Sequence, residues 1–186
     1  NKNKSNFESK LILGLSELKK GNISESKIYF NQLDQNLEHM KVSSVLKIIL
    51  NNWSSIEQFG ISNIKNMPDR YNNFKKIQIM LANCFFDTPD AGKVFSEILQ
   101  DEKENYSRYN FFFANYLKNK NNKSKAIEII NLASKKRPQN LLINQFKKNI
   151  IDGEKNYNEF NCKNKNHILA EIFYVIANAL SVEGDY

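Results

Sequence analysis

The strongest constraint on the fold is a short pattern that recurs along the chain. A large apolar residue and a small residue are followed, after six intervening residues, by two residues drawn from Gly, Asn and Asp. The three copies are Leu13-Gly14 with Gly21-Asn22, Phe113-Ala114 with Asn121-Asn122, and Ile176-Ala177 with Gly184-Asp185. Turn positions fall about every 33 residues, a period that is typical of arrays in which one small structural unit is repeated. They lie at Gly21, Ser55, Phe86, Asn121, Gly153 and Gly184.

Between these turns the apolar residues recur at three- and four-residue steps, as Leu11, Leu15 and Leu18 do. This spacing indicates amphipathic helices, and no segment alternates over the length of a strand, so we predict an all-α chain. First helices are predicted near 6–20, 40–53, 71–85, 107–119, 139–152 and 167–183. Second helices are predicted near 24–36, 56–67, 88–100 and 123–137.

A second pattern follows the turns, in which a small residue precedes two apolar residues by four and seven positions. The copies are Ser26, Phe30 and Leu33, then Ala126, Ile130 and Ala133, and a degenerate copy formed by Asp87, Ala91, Phe95 and Ile98. A small residue lets two helices approach closely, and one hairpin cannot bury its apolar faces alone. The pattern therefore predicts an α-solenoid of stacked antiparallel hairpins.

The predicted organisation has three parts. Residues 1–153 form four hairpins and the first helix of a fifth, and residues 167–186 form the first helix of a further, truncated repeat. Residues 154–166 are rich in Asn and Lys and are expected to form a long loop.

These features together resemble the tetratricopeptide repeat (TPR). The best copy is 107–140, and 170–186 matches the first half of a repeat, whereas Phe59 and Asn63 depart from the pattern in the copy around 53–67. The chain is similar to bacterial, especially alphaproteobacterial, TPR proteins of no assigned function. The matching positions are Phe113, Ala114, Leu117, Ala126, Ile130, Ala133 and Pro138 in the first copy, and Phe173, Ile176, Ala177 and Leu180 in the second.

The resemblance implies a non-catalytic scaffold whose first helices line a concave groove for another protein or a peptide. Candidate groove residues are Lys76, Met80, Asn83, Arg108, Phe111, Asn115, Lys118, Tyr174 and Asn178. Some TPR domains clamp a terminal carboxylate with such Asn, Lys and Arg side chains. Two alternatives remain: a structural or self-associating array, and weak binding of nucleic acid or an anionic surface through residues 118–148.

The net charge of +7 comes from 27 basic and 20 acidic residues. Residues 118–148 contain nine basic residues and one acid, Glu128, which would suit a polyanion. However, the chain has 24 Lys but only 3 Arg, beside 29 Asn, and phosphate recognition usually relies on the planar guanidinium of Arg. We therefore interpret the charge as solvated helix ends in a Lys-rich composition, and nucleic acid is not the expected partner.

Little in the sequence suggests catalysis, a metal or a cofactor. The two histidines, His39 and His167, are distant in sequence, and Cys162 with His167 supplies only half of a metal site. Cys84 stands in an apolar helix and is expected to be a small buried hydrophobe. The aromatic residues of the middle region, including Trp53 and Phe111–Phe113, could stack bases, but core packing is the favoured interpretation, with Phe111 or Phe112 left to line a groove.

The chain contains no run of apolar residues long enough to predict a transmembrane segment. It begins with Asn1 and ends on Gly184-Asp185-Tyr186, which resembles a turn that closes a helix. We therefore expect a piece of a longer repeat protein, and the compartment, bacterial cytoplasm or periplasm, is left open.

Overall fold

The fold is given by a computed structural model that describes residues 7–33, 41–100, 107–152 and 160–183. Every regular element among these residues is a helix, which confirms the all-α class. The helices are α1 (Phe7–Lys20), α2 (Ile23–Phe30), α3 (Lys41–Ser54), α4 (Ile56–Phe59), α5 (Ser62–Lys65), α6 (Asn72–Phe86), α7 (Ala91–Gln100), α8 (Arg108–Asn119), α9 (Lys123–Lys136), α10 (Leu141–Asp152) and α11 (Lys165–Glu183), with a single 3-10 turn at Asp69–Tyr71. No helix in this part of the chain has both the length and the apolarity needed to cross a membrane.

Three of the predicted second helices differ from the observed ones. Helix α2 ends at Phe30, and positions 34–36 of the predicted helix lie outside the described residues. The helix predicted over 56–67 is two four-residue helices, because Gly60 between them has a φ of +63°, a backbone conformation that ends a helix. Helix α7 begins at Ala91 rather than near 88.

The same turn closes α1, α6 and α8. One residue after each helix has a positive φ, namely Gly21, Asp87 and Asn121. In each turn the amide of the next residue bonds a carbonyl five residues earlier, as Asn22 does to Glu17 and Asn122 does to Leu117. This is the Schellman arrangement, which satisfies carbonyls at the end of a helix and turns the chain sharply. The Gly/Asn signal at Gly21 and Asn121 thus marks one repeated backbone structure, whereas the predicted turns at Gly153 and Gly184 lie outside the described residues.

The small and apolar residues that recur after the turns occupy buried positions. All nine positions are buried: Ser26, Phe30, Leu33, Ala91, Phe95, Ile98, Ala126, Ile130 and Ala133. The first-helix pattern is less regular, since Gly14 and Ala114 are buried whereas Leu13 and Ala177 are exposed. The small residues after the turns therefore face neighbouring helices, and Leu13 does not fill a layer as predicted.

Gly14 shows why a small residue is needed in α1. A Cβ atom added there would lie 2.4 Å from the Cε1 atom of Phe30, whose ring is fully buried. That distance is well inside van der Waals contact, so either the ring or the helix would have to move. The close approach of α1 and α2 therefore depends on this glycine.

We expect Gly14→Ala to lower the free energy of unfolding by about 1–3 kcal/mol through overpacking against Phe30. Gly92→Ala in α7 is the matched control, because a Cβ there meets nothing within 4 Å. Its expected effect is neutral or stabilising by up to about 1 kcal/mol, since alanine restricts the unfolded chain. Urea denaturation followed by circular dichroism measures both variants, and a stable Gly14→Ala protein would contradict the close contact.

The chain packs as two compact units. Unit 1 comprises residues 1–75 and 169–186, and unit 2 comprises residues 76–168. In unit 1, α1 packs on α2, α2 on α3, and α5 on both α3 and α4. In unit 2, α7 packs on α8, α8 on α9, and α10 on both α8 and α9. Each of these helices thus packs on helices that are close to it in sequence, as expected for hairpins that stack in order.

Candidate functional site

Helix α8 of unit 2 carries three consecutive phenylalanines that are all buried. Because successive residues of an α-helix are about 100° apart, the three rings point in different directions. Phe113 stacks on Phe95 of α7 with ring centres 5.0 Å apart, and Phe111 meets Phe146 of α10 edge-on at 4.7 Å. The third ring, Phe112, packs against a part of the chain that is not helical.

That part is residues 160–164, which lead into α11 without regular structure and which we call the strap. The ring of Phe160 lies parallel to that of Phe112, with centroids 3.9 Å apart. One turn further along α8, the Asn115 side-chain amide donates to the Phe160 main-chain carbonyl at 2.8 Å. Asn115 is fully buried, and its Oδ1 atom has no hydrogen-bond partner. The Phe112 ring and the Asn115 side-chain amide of α8 therefore both contact the non-helical strap.

A disulfide joins Cys162 of the strap to Cys84 of α6, with Cα atoms 5.8 Å apart. This corrects the prediction that Cys84 is a simple buried hydrophobe, since its sulfur is covalently bonded. The strap is also joined to α11, where His167 accepts a hydrogen bond at Nδ1 from the Asn161 amide at 3.0 Å. His167 and Cys162 are therefore used in shaping the strap, and no cluster of three metal-ligating side chains occurs among the described residues.

Beside the disulfide is a cleft of about 340 Å³ whose walls come from α6, α8 and the strap. It is lined by Cys84, Asp87, Phe112, Tyr116, Asn119, Lys120, Phe160, Asn161, Cys162 and Lys163. Asp87, in the turn after α6, accepts a hydrogen bond from the Tyr116 hydroxyl at 3.0 Å and pairs with the Lys120 ammonium. The cleft thus combines three aromatic rings, two lysines and one carboxylate.

Two titratable groups of the cleft are shifted from their ordinary values. The Lys120 ammonium lowers the pKa of Asp87, with a further contribution from the Tyr116 hydroxyl. Burial raises the pKa of Tyr116, and the neighbouring carboxylate raises it further. At neutral pH Asp87 is therefore an anion and Tyr116 a neutral donor, so the pair is a stable structural contact and leaves Lys163 as the other cation of the cleft wall.

The predicted groove residues lie in several different environments. Met80, Asn83, Phe111 and Asn115 are buried, whereas Lys76, Arg108 and Lys118 are half-buried in unit 2. Tyr174 and Asn178 are exposed and belong to unit 1, where the Asn178 amide donates to the Tyr174 carbonyl. None of the nine lines the cleft, although Asn115 lies next to it and Arg108 lies over the Phe112 ring at 5.4 Å.

Burial changes the role of two of these residues. Asn83 accepts from the Thr88 hydroxyl and donates to the Ile79 carbonyl, so it stabilises the end of α6. The Thr88 hydroxyl is therefore bonded to the end of α6 that precedes it. Phe111 is packed on Phe146, and the groove-lining ring is its neighbour Phe112.

The sequence also missed most of the residues that form the cleft. Phe160 and Cys162 fall in a segment without helical periodicity, and nothing local associates them with α6 or α8. Two signals were present: the chain has an even number of cysteines, and Phe112, Tyr116 and Asn119 share one face of α8 by their four- and three-residue spacing.

The basic region 118–148 is divided over the ends and flanks of helices. Lys120, Lys123 and Lys125 lie around the start of α9, whereas Lys135 and Lys136 lie at its end. A helix of 14 residues is about 21 Å long, so these two groups are well separated. This placement favours solvated helix ends over one continuous patch.

Comparison of the chain with protein-family models, with curated proteins and with solved structures finds no match. The arguments below therefore depend on the geometry of α6, α8 and the strap.

Proposed function

We propose that this chain is a non-catalytic TPR-like module, a right-handed solenoid of hairpins, and that the α8 face in unit 2 binds an extended segment of another protein or a peptide. Three features support the solenoid: the repeated Schellman turns, the buried register of the second helices, and the packing of helices in sequence order. They are local and regular, as repeat arrays require.

The observation that carries the binding proposal is the contact between Asn115 and the Phe160 carbonyl. A side-chain amide that bonds a main-chain carbonyl recognises the backbone of its partner and not the partner's side chain. Any extended segment can therefore supply the same acceptor. The unpartnered Oδ1 of Asn115 adds to this argument, because a peptide offering an N–H as well as a C=O would satisfy both ends of the amide. The strap satisfies only one of them.

The ring stack indicates the side chain that such a peptide would carry. Phe112 and Phe160 are parallel at 3.9 Å, and aromatic pairs in contact contribute about 0.5–1.5 kcal/mol beyond their buried area. We therefore expect the partner to present an aromatic residue to Phe112 and a backbone carbonyl to Asn115.

The test uses a variant in which the strap is detached, Phe160→Ala with Cys162→Ser. The probe is a fluorescein-labelled peptide of residues 160–166 with serine in place of Cys162, and its anisotropy is measured against increasing protein. Detachment is needed because a tethered strap competes at an effective concentration in the millimolar range. We expect saturable binding by this variant.

Adding Asn115→Ala to the detached variant is expected to weaken peptide binding by about 2- to 12-fold, the value of one hydrogen bond. Asn131→Ala on α9 is the matched control and should leave the affinity unchanged. Circular dichroism verifies that the variants keep their helices. A folded detached variant that fails to bind the peptide, or binds it equally without Asn115, would refute the assignment of this face.

A further inference from the structure

We infer that the Cys84–Cys162 disulfide is a redox latch that holds the strap on the α8 face, so that reduction opens this face to a peptide. The inference rests on the proposed function and adds its regulation. It is carried by the position of the disulfide, which joins the two sides of the site: Cys84 belongs to α6, and Cys162 belongs to the segment that covers α8.

The strap also makes non-covalent contacts with α8, which include the Phe112–Phe160 stack and the hydrogen bond from Asn115. Contacts of this kind exchange readily with a competing ligand, whereas a covalent bond removes the open state altogether. The disulfide therefore decides whether a peptide can compete for the face.

The disulfide is sheltered, but the cleft gives access to it. Cys84 and Cys162 are 1% and 7% exposed, and both line the 340 Å³ cleft together with Lys120 and Lys163. A cleft of this size admits a small thiol or a loop of a protein dithiol. Lys163 in the same cleft wall favours the approach of a thiolate.

The reductant is a dithiol, and the reaction is an ordinary two-step exchange. The thiolate of the dithiol attacks Sγ of Cys162, the more exposed cysteine, which forms a mixed disulfide and releases the Cys84 thiolate. The second thiol of the reductant, as thiolate, then attacks the mixed disulfide and releases Cys162. Two electrons and two protons pass to the protein, which gains two thiols while the reductant becomes a disulfide.

The experiment uses the full chain carrying Phe160→Ala, in which the ring contact is gone but the disulfide is intact. Its binding of the fluorescein-labelled 160–166 peptide is compared before and after treatment with dithiothreitol. We expect the reduced protein to bind at least about 10-fold more tightly than the oxidised protein, because the disulfide then no longer holds the strap over the α8 face. The detached variant, Phe160→Ala with Cys162→Ser, should not respond to dithiothreitol.

A second readout does not depend on the peptide. In the wild-type chain, the amides of residues 160–164 are expected to exchange their hydrogens at least about 10-fold faster after reduction, because the strap then opens locally. Amides in the middle of α9 are the internal reference and should change little if the helices stay folded. Far-UV circular dichroism of the reduced chain confirms that they do.

The outcomes separate the latch from the binding proposal. Equal peptide binding by oxidised and reduced Phe160→Ala, with good binding by the detached variant, would overturn the latch and leave the binding face intact. No binding by the detached variant would refute the binding proposal. Amide hydrogen exchange of the strap would then test whether the disulfide acts as a latch. Unchanged exchange on reduction overturns the latch, and faster exchange confined to the strap supports it.

Discussion

Replacing Cys84 and Cys162 together with alanine is expected to lower the free energy of unfolding by about 2–4.5 kcal/mol. The disulfide joins residues 78 positions apart, so it closes a long loop in the unfolded chain. A loop of this length gives about 4.5 kcal/mol in the chain-entropy treatment, and native proteins commonly realise less of it. The effect is large because it acts on most of unit 2, which lies between the two cysteines.

Urea denaturation of oxidised and reduced wild-type protein should show this loss as a lower midpoint. The dependence of the unfolding free energy on urea should also become steeper, because an unfolded chain without the cross-link exposes more surface. The double variant is the control, since dithiothreitol can no longer change its midpoint. If the midpoints of the oxidised and reduced wild-type chains coincide, the disulfide does not stabilise unit 2.

The sequence predicted the helices well because the information that places them is local. Glycine and asparagine tolerate a positive φ better than other residues, and Gly21 and Asn121 adopt it at the predicted turns. The buried register after each turn was equally readable, because small residues such as Ala126 mark close helix contacts. The helix predicted over 56–67 failed because Gly60, in its middle, adopts a conformation that interrupts the helix.

The candidate site was much less predictable, because its contacts are long-range. Asn115 and Phe160 are 45 residues apart, and the cysteines are 78 apart. No periodicity connects such positions, and a segment with few apolar residues gives no signal of where it packs. Asn115 was predicted from the sequence as a groove residue, but whether it faces a groove or the interior depends on what covers it.

The Phe111–Phe113 run illustrates what helical periodicity can and cannot predict about a site. Helical geometry alone implies that three consecutive rings cannot share one face. It does not say which ring meets which partner, and the structure assigns Phe112, not Phe111, to the cleft. A choice between adjacent residues needs the neighbouring elements, which in this case include a non-helical strap.

In unit 1, Trp53→Ala is expected to lower the free energy of unfolding by about 3–5 kcal/mol. Trp53 lies near the end of α3 with none of its surface exposed, among the buried side chains Ile49, Leu50 and Ile56. Truncating it removes a large apolar surface from the core and leaves a cavity that its neighbours can fill only in part. Urea denaturation followed by circular dichroism measures the loss.

Ile12→Ala in α1 is the matched control, because Ile12 is also a large apolar residue of unit 1 but is 66% exposed. Its expected effect is within about 0.5 kcal/mol, as for most surface positions. Comparable losses in the two variants would show that Trp53 is not a core residue.

The result also decides between the two roles that the sequence allowed for Trp53, base stacking and core packing. An aromatic ring that stacks nucleic-acid bases must be accessible, so its truncation would weaken binding and hardly affect stability. Because Trp53 is the only tryptophan of the chain, its fluorescence gives an independent answer. A buried indole should resist quenching by acrylamide in the folded protein and become accessible on unfolding, and single-stranded oligonucleotides should leave its emission unchanged.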